Sequence, residues 1–172
     1  LPASMITEAV EGSPVSLAVV NGQRSIVLSG RPDDLEACRH QLEAQVAASN
    51  RALDEHLTGG TPLELIVEFL PVSAPFHSPL LEEAVAQVVS WARSLAAAGH
   101  GIDDAEAERV ARAILVERDD WSAAISTALS QGVKTFVDLG PSNMLTRLTQ
   151  DLLDGTGAQI VDASTASRRT EL

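Results

Sequence analysis

His77 is the residue best placed to do chemistry. It lies in Pro71-Val72-Ser73-Ala74-Pro75-Phe76-His77-Ser78-Pro79-Leu80-Leu81, where an apolar run gives way to a helical pattern. A neutral imidazole takes up a proton near pH 7, so a histidine presented at a strand-to-helix corner can act as a general base. Such a base makes a serine hydroxyl nucleophilic, and the imidazolium can then protonate a leaving thiolate. Ser73 and Ser78 sit beside it, but they share its loop and lack the strained strand-to-helix turn that exposes a nucleophile. No Gly-His-Ser-x-Gly run occurs anywhere in the chain.

Other polar clusters carry less chemistry. His40 and His56 lack metal-ligand spacing with each other. Gly99-His100-Gly101 reads as a turn between helices, because no serine follows. Asp103, Asp104, Glu106 and Glu108 form an acidic first helical turn without the glycine and alternation of a calcium loop. Gly59-Gly60 has no phosphate-loop lysine after it. Cys38 is the only cysteine, so no intrachain disulfide forms, and its helical setting suits a buried thiol.

These residues need a scaffold, and the pattern predicts a mixed α/β one, locally α+β. Residues 1–13 carry weak pattern and read as a frayed helix remnant. Val15–Val20 reads as a strand, Asn21-Gly22 as a hairpin turn and Ser25–Ser29 as the returning strand. Leu35, Cys38, Leu42 and Val46 form one face of a helix that Pro32 opens. Leu63–Val72 is a further strand, with Leu65, Val67 and Phe69 on one face and Ile66, Leu70 and Val72 on the other. Strand, strand, helix, strand describes a layer missing an opening strand and helix. Beyond His77 the pattern predicts helices over 79–97, 103–115, 121–129 and 143–153, with short strands at 135–139 and 160–161. The tail 164–172 is polar.

The 172 residues suffice for one domain or a compact pair of subdomains. Lys and Arg number 12 against 24 Asp and Glu, for a net charge of −12, which argues against a phosphate-backbone partner. Aromatics at 3% leave no base-stacking platform. There is no signal peptide and no apolar run long enough to span a membrane, so a cytoplasmic protein is expected. The start at Leu1-Pro2-Ala3, without methionine, suggests a segment of something longer.

The Pro-Val-Ser-x-x-Phe-His-Ser-Pro-Leu arrangement around His77 closely resembles the histidine motif of the malonyl-CoA/acyl-CoA:carrier-protein acyltransferases. Val137-Asp138-Leu139-Gly140-Pro141-Ser142-Asn143-Met144-Leu145-Thr146 resembles that family's Glu-x-Gly-Pro-Gly-x-x-Leu-Thr segment, with Asp138 for glutamate and Ser142 for the second glycine. Ala18-Val19-Val20-Asn21-Gly22 resembles the hairpin of its ferredoxin-like subdomain. The resemblance runs over residues 14 to 165. It implies a partial ferredoxin-like subdomain at 14–72, the C-terminal part of an α/β-hydrolase-like acyltransferase core at 73–165, and a tail or linker at 166–172.

By the same resemblance His77 is the general base and acid, a backbone carbonyl near Ile114 orients its ring, and Asn21 lines the substrate cleft. Asn21 is equally well read as a plain turn former. The implied reaction moves an acyl group from acyl-CoA to the phosphopantetheine of an acyl carrier protein, with no bound cofactor and no metal. The implied partners are the carrier protein, the N-terminal half of the same domain with its serine and oxyanion loop, and other synthase domains. The stretch from Trp91 to Trp121 and the ending Gln159–Thr165 resemble the acetyl/acyl-loading transferase of actinobacterial type I fatty acid synthases. Acetyl transfer is therefore favoured over malonyl or palmitoyl transfer. A noncatalytic acyltransferase-like interaction module and an unrelated α+β ligand-binding protein stay open.

Overall fold

A computed structural model describes residues 1–56, 60–97 and 103–163. Gly99-His100-Gly101, Gly59, the side chain of His56 and the tail from Ser164 lie outside the described residues. The elements in chain order are α1 (Ala3–Val10), β1 (Ser16–Gly22), β2 (Ser25–Ser29), α2 (Pro32–His56), a 3-10 turn (Pro79–Leu81), α3 (Glu82–Ala97), α4 (Asp104–Leu115), β3 (Asp119–Asp120), α5 (Trp121–Ser130), β4 (Thr135–Asp138), α6 (Met144–Leu153) and β5 (Gln159–Asp162). Helices and two small sheets make this an α/β protein. One sheet has the order β2-β1-β3 and the other pairs β4 with β5.

The chain forms two compact units, one of residues 1–19 and 23–119, the other of 20–22 and 120–172. In the first, the face predicted for α2 is the buried one: Cys38, Leu42 and Val46 pack with Val15. Burying each such side chain contributes about 1.5–3 kcal/mol. Leu1, Ala9 and Val10 join the same core, so residues 1–13 hold a packed helix rather than a frayed remnant. The weak pattern reflects the brevity of α1, which needs few apolar positions to pack against α2.

Two further expectations shift. The hairpin turn falls at Gln23-Arg24, and Asn21 and Gly22 continue β1. Gly22 is not held there by sterics, since a Cβ would stand 3.4 Å from Leu152 Cδ2, an ordinary packing distance. Leu63–Val72 is not a paired strand. Leu63 and Leu65 reach the core, but a strand exists only with a neighbour to bond, and none borders residues 65–69 among the described residues.

α3 and α4 pack together in the first unit. Asp103 caps α4 by accepting from the Glu106 amide at 2.8 Å. Arg93 reaches Asp104, and Arg112 reaches Glu82 at 2.6 Å, bonding α3 to α4 near both ends of the pair. These pairs are exposed and therefore screened by salt. Trp91, also on α3, is 60% exposed.

In the second unit β4 and β5 run parallel, Thr135 opposite Gln159 and Asp138 opposite Asp162, with α6 as the crossover. Asp120 caps α5 through the Ala123 amide at 2.8 Å. The Trp121 indole donates to Thr149 Oγ1 at 3.1 Å, joining α5 to α6. Gly140, at φ 82°, turns the chain after β4 in a conformation that favours glycine. Asp138 is buried and accepts from the Gly140 amide at 3.0 Å and from the Thr146 amide and hydroxyl at 2.9 Å each. Thr146 lies in the first turn of α6, whose own N-cap, Asn143, makes no side-chain bond. The carboxylate at the end of β4 does the capping, which confirms the Gly-Pro segment as a strand–turn–helix joint.

Hydrogen bonds from Gly140 and then Thr146 hold the Asp138 carboxyl below the usual carboxylate range. A value lowered by folding adds stability that is complete above about pH 4 and lost as pH falls through the folded-state value. Asp138→Asn should lower stability at neutral pH and weaken its acid dependence below about pH 4. Urea midpoints between pH 7 and pH 3 for both proteins check this; parallel curves would show that Asp138 has no such role.

Candidate active site

His77 stands in a loop clamped to the end of α4. Its Nδ1 lies 2.7 Å from the carbonyl oxygen of Glu117. The next residue donates its amide to the Leu115 carbonyl at 3.1 Å. A carbonyl can only accept, so Nδ1 carries the proton and Nε2 keeps its lone pair. The ring is thereby fixed in the tautomer a general base needs.

The orienting group is Glu117 and not Ile114. Ile114 lies within the last turn of α4, where carbonyls point along the helix axis. The amides of Val116 and Glu117 both bond back to the Arg112 carbonyl at 2.9 Å, closing the helix. Glu117 lies beyond that closure, so its own carbonyl is free to face the histidine loop. A sequence signal existed in the short stretch between the helix end and the Asp120 cap, where the chain must change direction.

Ser78 anchors the other side of the loop. Its side chain is 1% exposed. Its Oγ accepts from the Leu80 amide at 3.3 Å, capping the 3-10 turn that Pro79 opens. It also accepts from Ser16 Oγ at 3.3 Å, which ties the loop to β1. Ser-Pro was legible as a helix-start signal, whereas the partnership with Ser16 spans 62 positions and leaves no local trace. Burial and these bonds make Ser78 an anchor and not a nucleophile.

His77 itself has φ 56°, the only positive φ outside glycine among the described residues. A side chain in this region costs about 1–2 kcal/mol. The bonds to Leu115 and Glu117 and the cap at Ser78 offset it. Asn21 lies near the end of β1, half-buried, in the unit that contains residues 120–172. Among the described residues no group of three or more His, Cys, Asp or Glu side chains is placed to hold a metal.

Known proteins share the fold. The family described as the fatty acid synthase central AT domain matches residues 3–68. A fatty acid synthase beta subunit of Emericella nidulans is 36% identical over 91 residues, which are 51% of this chain and 4% of that protein. The malonyl CoA-acyl carrier protein transacylase of Coxiella burnetii superposes with a TM-score of 0.72 at 18% identity, over 99% of this chain and 53% of that one. A malonyl-transacylase solved in complex with a type II polyketide acyl carrier protein superposes with a TM-score of 0.67 at 18% identity, over 98% and 53%. The fold is that of the malonyl transacylases, and residues 3–68 are similar in sequence to a fatty acid synthase acyltransferase domain. More particularly, the chain is similar to the domains carried by fatty acid and polyketide synthases, and it spans about half the length of the solved transacylases.

Two variants separate ring from backbone. His77→Gly and His77→Ala both remove the imidazole, but only glycine is at ease at positive φ. The glycine variant should be more stable than the alanine variant by about 1 kcal/mol. Equal chemical-denaturation midpoints would show the loop to be unstrained.

Proposed function

We propose that this chain supplies the histidine side of an acyltransferase site, which moves an acyl group from coenzyme A to the phosphopantetheine thiol of an acyl carrier protein. The observation that carries this reading is the Nδ1–Glu117 bond, which leaves Nε2 as a base. The nucleophilic serine comes from a segment outside these 172 residues. In the first half-reaction Nε2 takes the serine proton as Oγ adds to the thioester carbonyl. The resulting imidazolium protonates the departing coenzyme A thiolate, leaving an acyl-serine. In the second half-reaction Nε2 takes the proton of the phosphopantetheine thiol as its sulfur attacks the acyl-serine. That proton then returns to the serine oxygen, and the histidine is neutral again. The backbone carbonyl of Glu117 holds the ring throughout.

Acetyl is the favoured acyl group, supported by the likeness to loading transferases around residues 91–121 and by the match to a fatty acid synthase domain. The serine half of the domain, the carrier protein and other synthase domains are the partners. Substrate contact by Asn21 belongs to the same reading.

In the complete domain His77→Ala should slow acyl transfer by about 10²–10⁴-fold, the range of a positioned base, without unfolding the protein. Transfer at the parent rate would remove His77 from the mechanism. The 172-residue chain alone, mixed with radiolabelled acetyl-CoA or malonyl-CoA and quenched in acid, should hold no label. A stoichiometric adduct lost on mutating one of its own serines would place the nucleophile here and end the two-part reading.

A further inference from the structure

We infer that Arg112 and Glu82 form a positioning pair for His77, holding the histidine loop against the end of α4 so that the ring keeps its tautomer. The consequence for rate rests on the reading of His77 as a base; the consequence for the ring does not. The chain leaves His77 by one short path. The Ser78 amide donates to the Leu115 carbonyl at 3.1 Å, and the Leu81 amide returns to the Ser78 carbonyl at 3.0 Å. The Glu82 amide then bonds to the Pro79 carbonyl. A single 3-10 turn therefore holds Glu82 in fixed relation to the loop.

Arg112 acts on the same loop from the other side. Its carbonyl accepts from the Val116 and Glu117 amides at 2.9 Å each, which closes α4 and sets the Glu117 carbonyl that meets His77 Nδ1 at 2.7 Å. The guanidinium of this same arginine grips Glu82, Nη1 to Oε1 at 2.6 Å and Nη2 to Oε2 at 3.2 Å. The contacts close a ring through His77, Glu117, Arg112, Glu82 and Ser78. Every other link in that ring has a backbone group at one end or both, whereas Arg112–Glu82 joins two side chains. Without it, the hydrogen bonds between loop and α4 among the described residues would be those of Leu115 and of the imidazole itself.

The setting favours this pair over an ordinary surface one. Two parallel N–H···O bonds fix direction as well as distance. Glu82 lies in the first turn of α3 and Arg112 in the last turn of α4, so each charge is stabilised by the helix end that carries it. The Arg112 side chain is 36% exposed, against 64% for Arg93, so water competes less for its bonds. Arg93 and Asp104 supply a matched comparison. Their bonds are of similar length, 2.8 and 2.9 Å from Nε, and they join the same two helices, but at the end away from the histidine loop.

Imidazole nitrogen NMR of the 172-residue chain at about pH 9, where the free ring is neutral, tests this without substrate. His77 in the parent should carry its proton mainly on Nδ1. In Glu82→Gln and in Arg112→Gln the share on Nε2 should rise at least about threefold, and the double variant should show no further rise, as two ends of one contact require. Asp104→Asn, which cuts the matched pair, should leave the ratio as in the parent. In the complete domain Glu82→Gln should lower kcat about three- to tenfold, with KM for acyl-CoA within about twofold of the parent. An unchanged ratio in Glu82→Gln, effects that add in the double variant, or an equal shift in Asp104→Asn would overturn the proposal. So would a parent-like kcat in Glu82→Gln where His77→Ala is slowed. If His77→Ala itself transferred at the parent rate, the reaction reading would fall and the tautomer ratio would still decide the role of the pair.

Discussion

The hydrogen bond from His77 Nδ1 to the Glu117 carbonyl is the interaction on which the site depends. It selects a tautomer with a backbone dipole instead of a carboxylate. A backbone acceptor cannot rotate away, so the precision of the ring is the precision of the α4 terminus. That terminus is set by the bonds of Val116 and Glu117 to Arg112, and α4 is bonded to α3 through Arg112 and Arg93. A chain of short-range contacts thus runs from two surface helices to one imidazole.

The histidine loop shows how local strain is held in place. His77 adopts a backbone conformation that side chains avoid, and its neighbour Ser78 is among the most buried polar residues. The serine has no room for chemistry because its oxygen is committed to Leu80 and Ser16. Adjacent residues therefore divide the work, one displayed at a cost and the other hidden to support it.

Much of this was legible in the sequence where the signal was local. The helices over 103–115 and 121–129, the buried face of α2 and the strand–turn–helix joint at Gly140 follow from side-chain chemistry over a few residues. The hairpin was legible but its turn was not placed, because Asn-Gly is a turn former in isolation and here both residues continue β1 while Gln23-Arg24 turn. The role of Ile114 was misassigned for a related reason. Which carbonyl faces a distant loop depends on where a helix closes, and helix ends are the least certain boundary in a pattern. Leu63–Val72 has the alternation of a strand and lacks only a neighbour, a fact about another segment that no local reading contains.

The unequal setting of the two tryptophans gives the protein a built-in optical asymmetry. With no tyrosine in the chain, ultraviolet emission comes almost wholly from Trp91 and Trp121. Trp91 is largely exposed, so its indole is already in water and changes little when the first unit unfolds. Trp121 is partly shielded and bonded to the fully buried Thr149, so loss of the second unit brings its ring into a more polar setting. A red shift in fluorescence therefore follows the β4–α6–β5 unit selectively, while far-ultraviolet dichroism, which weighs the longer helices, follows the other. Any gap between the two signals measures how far the units melt apart.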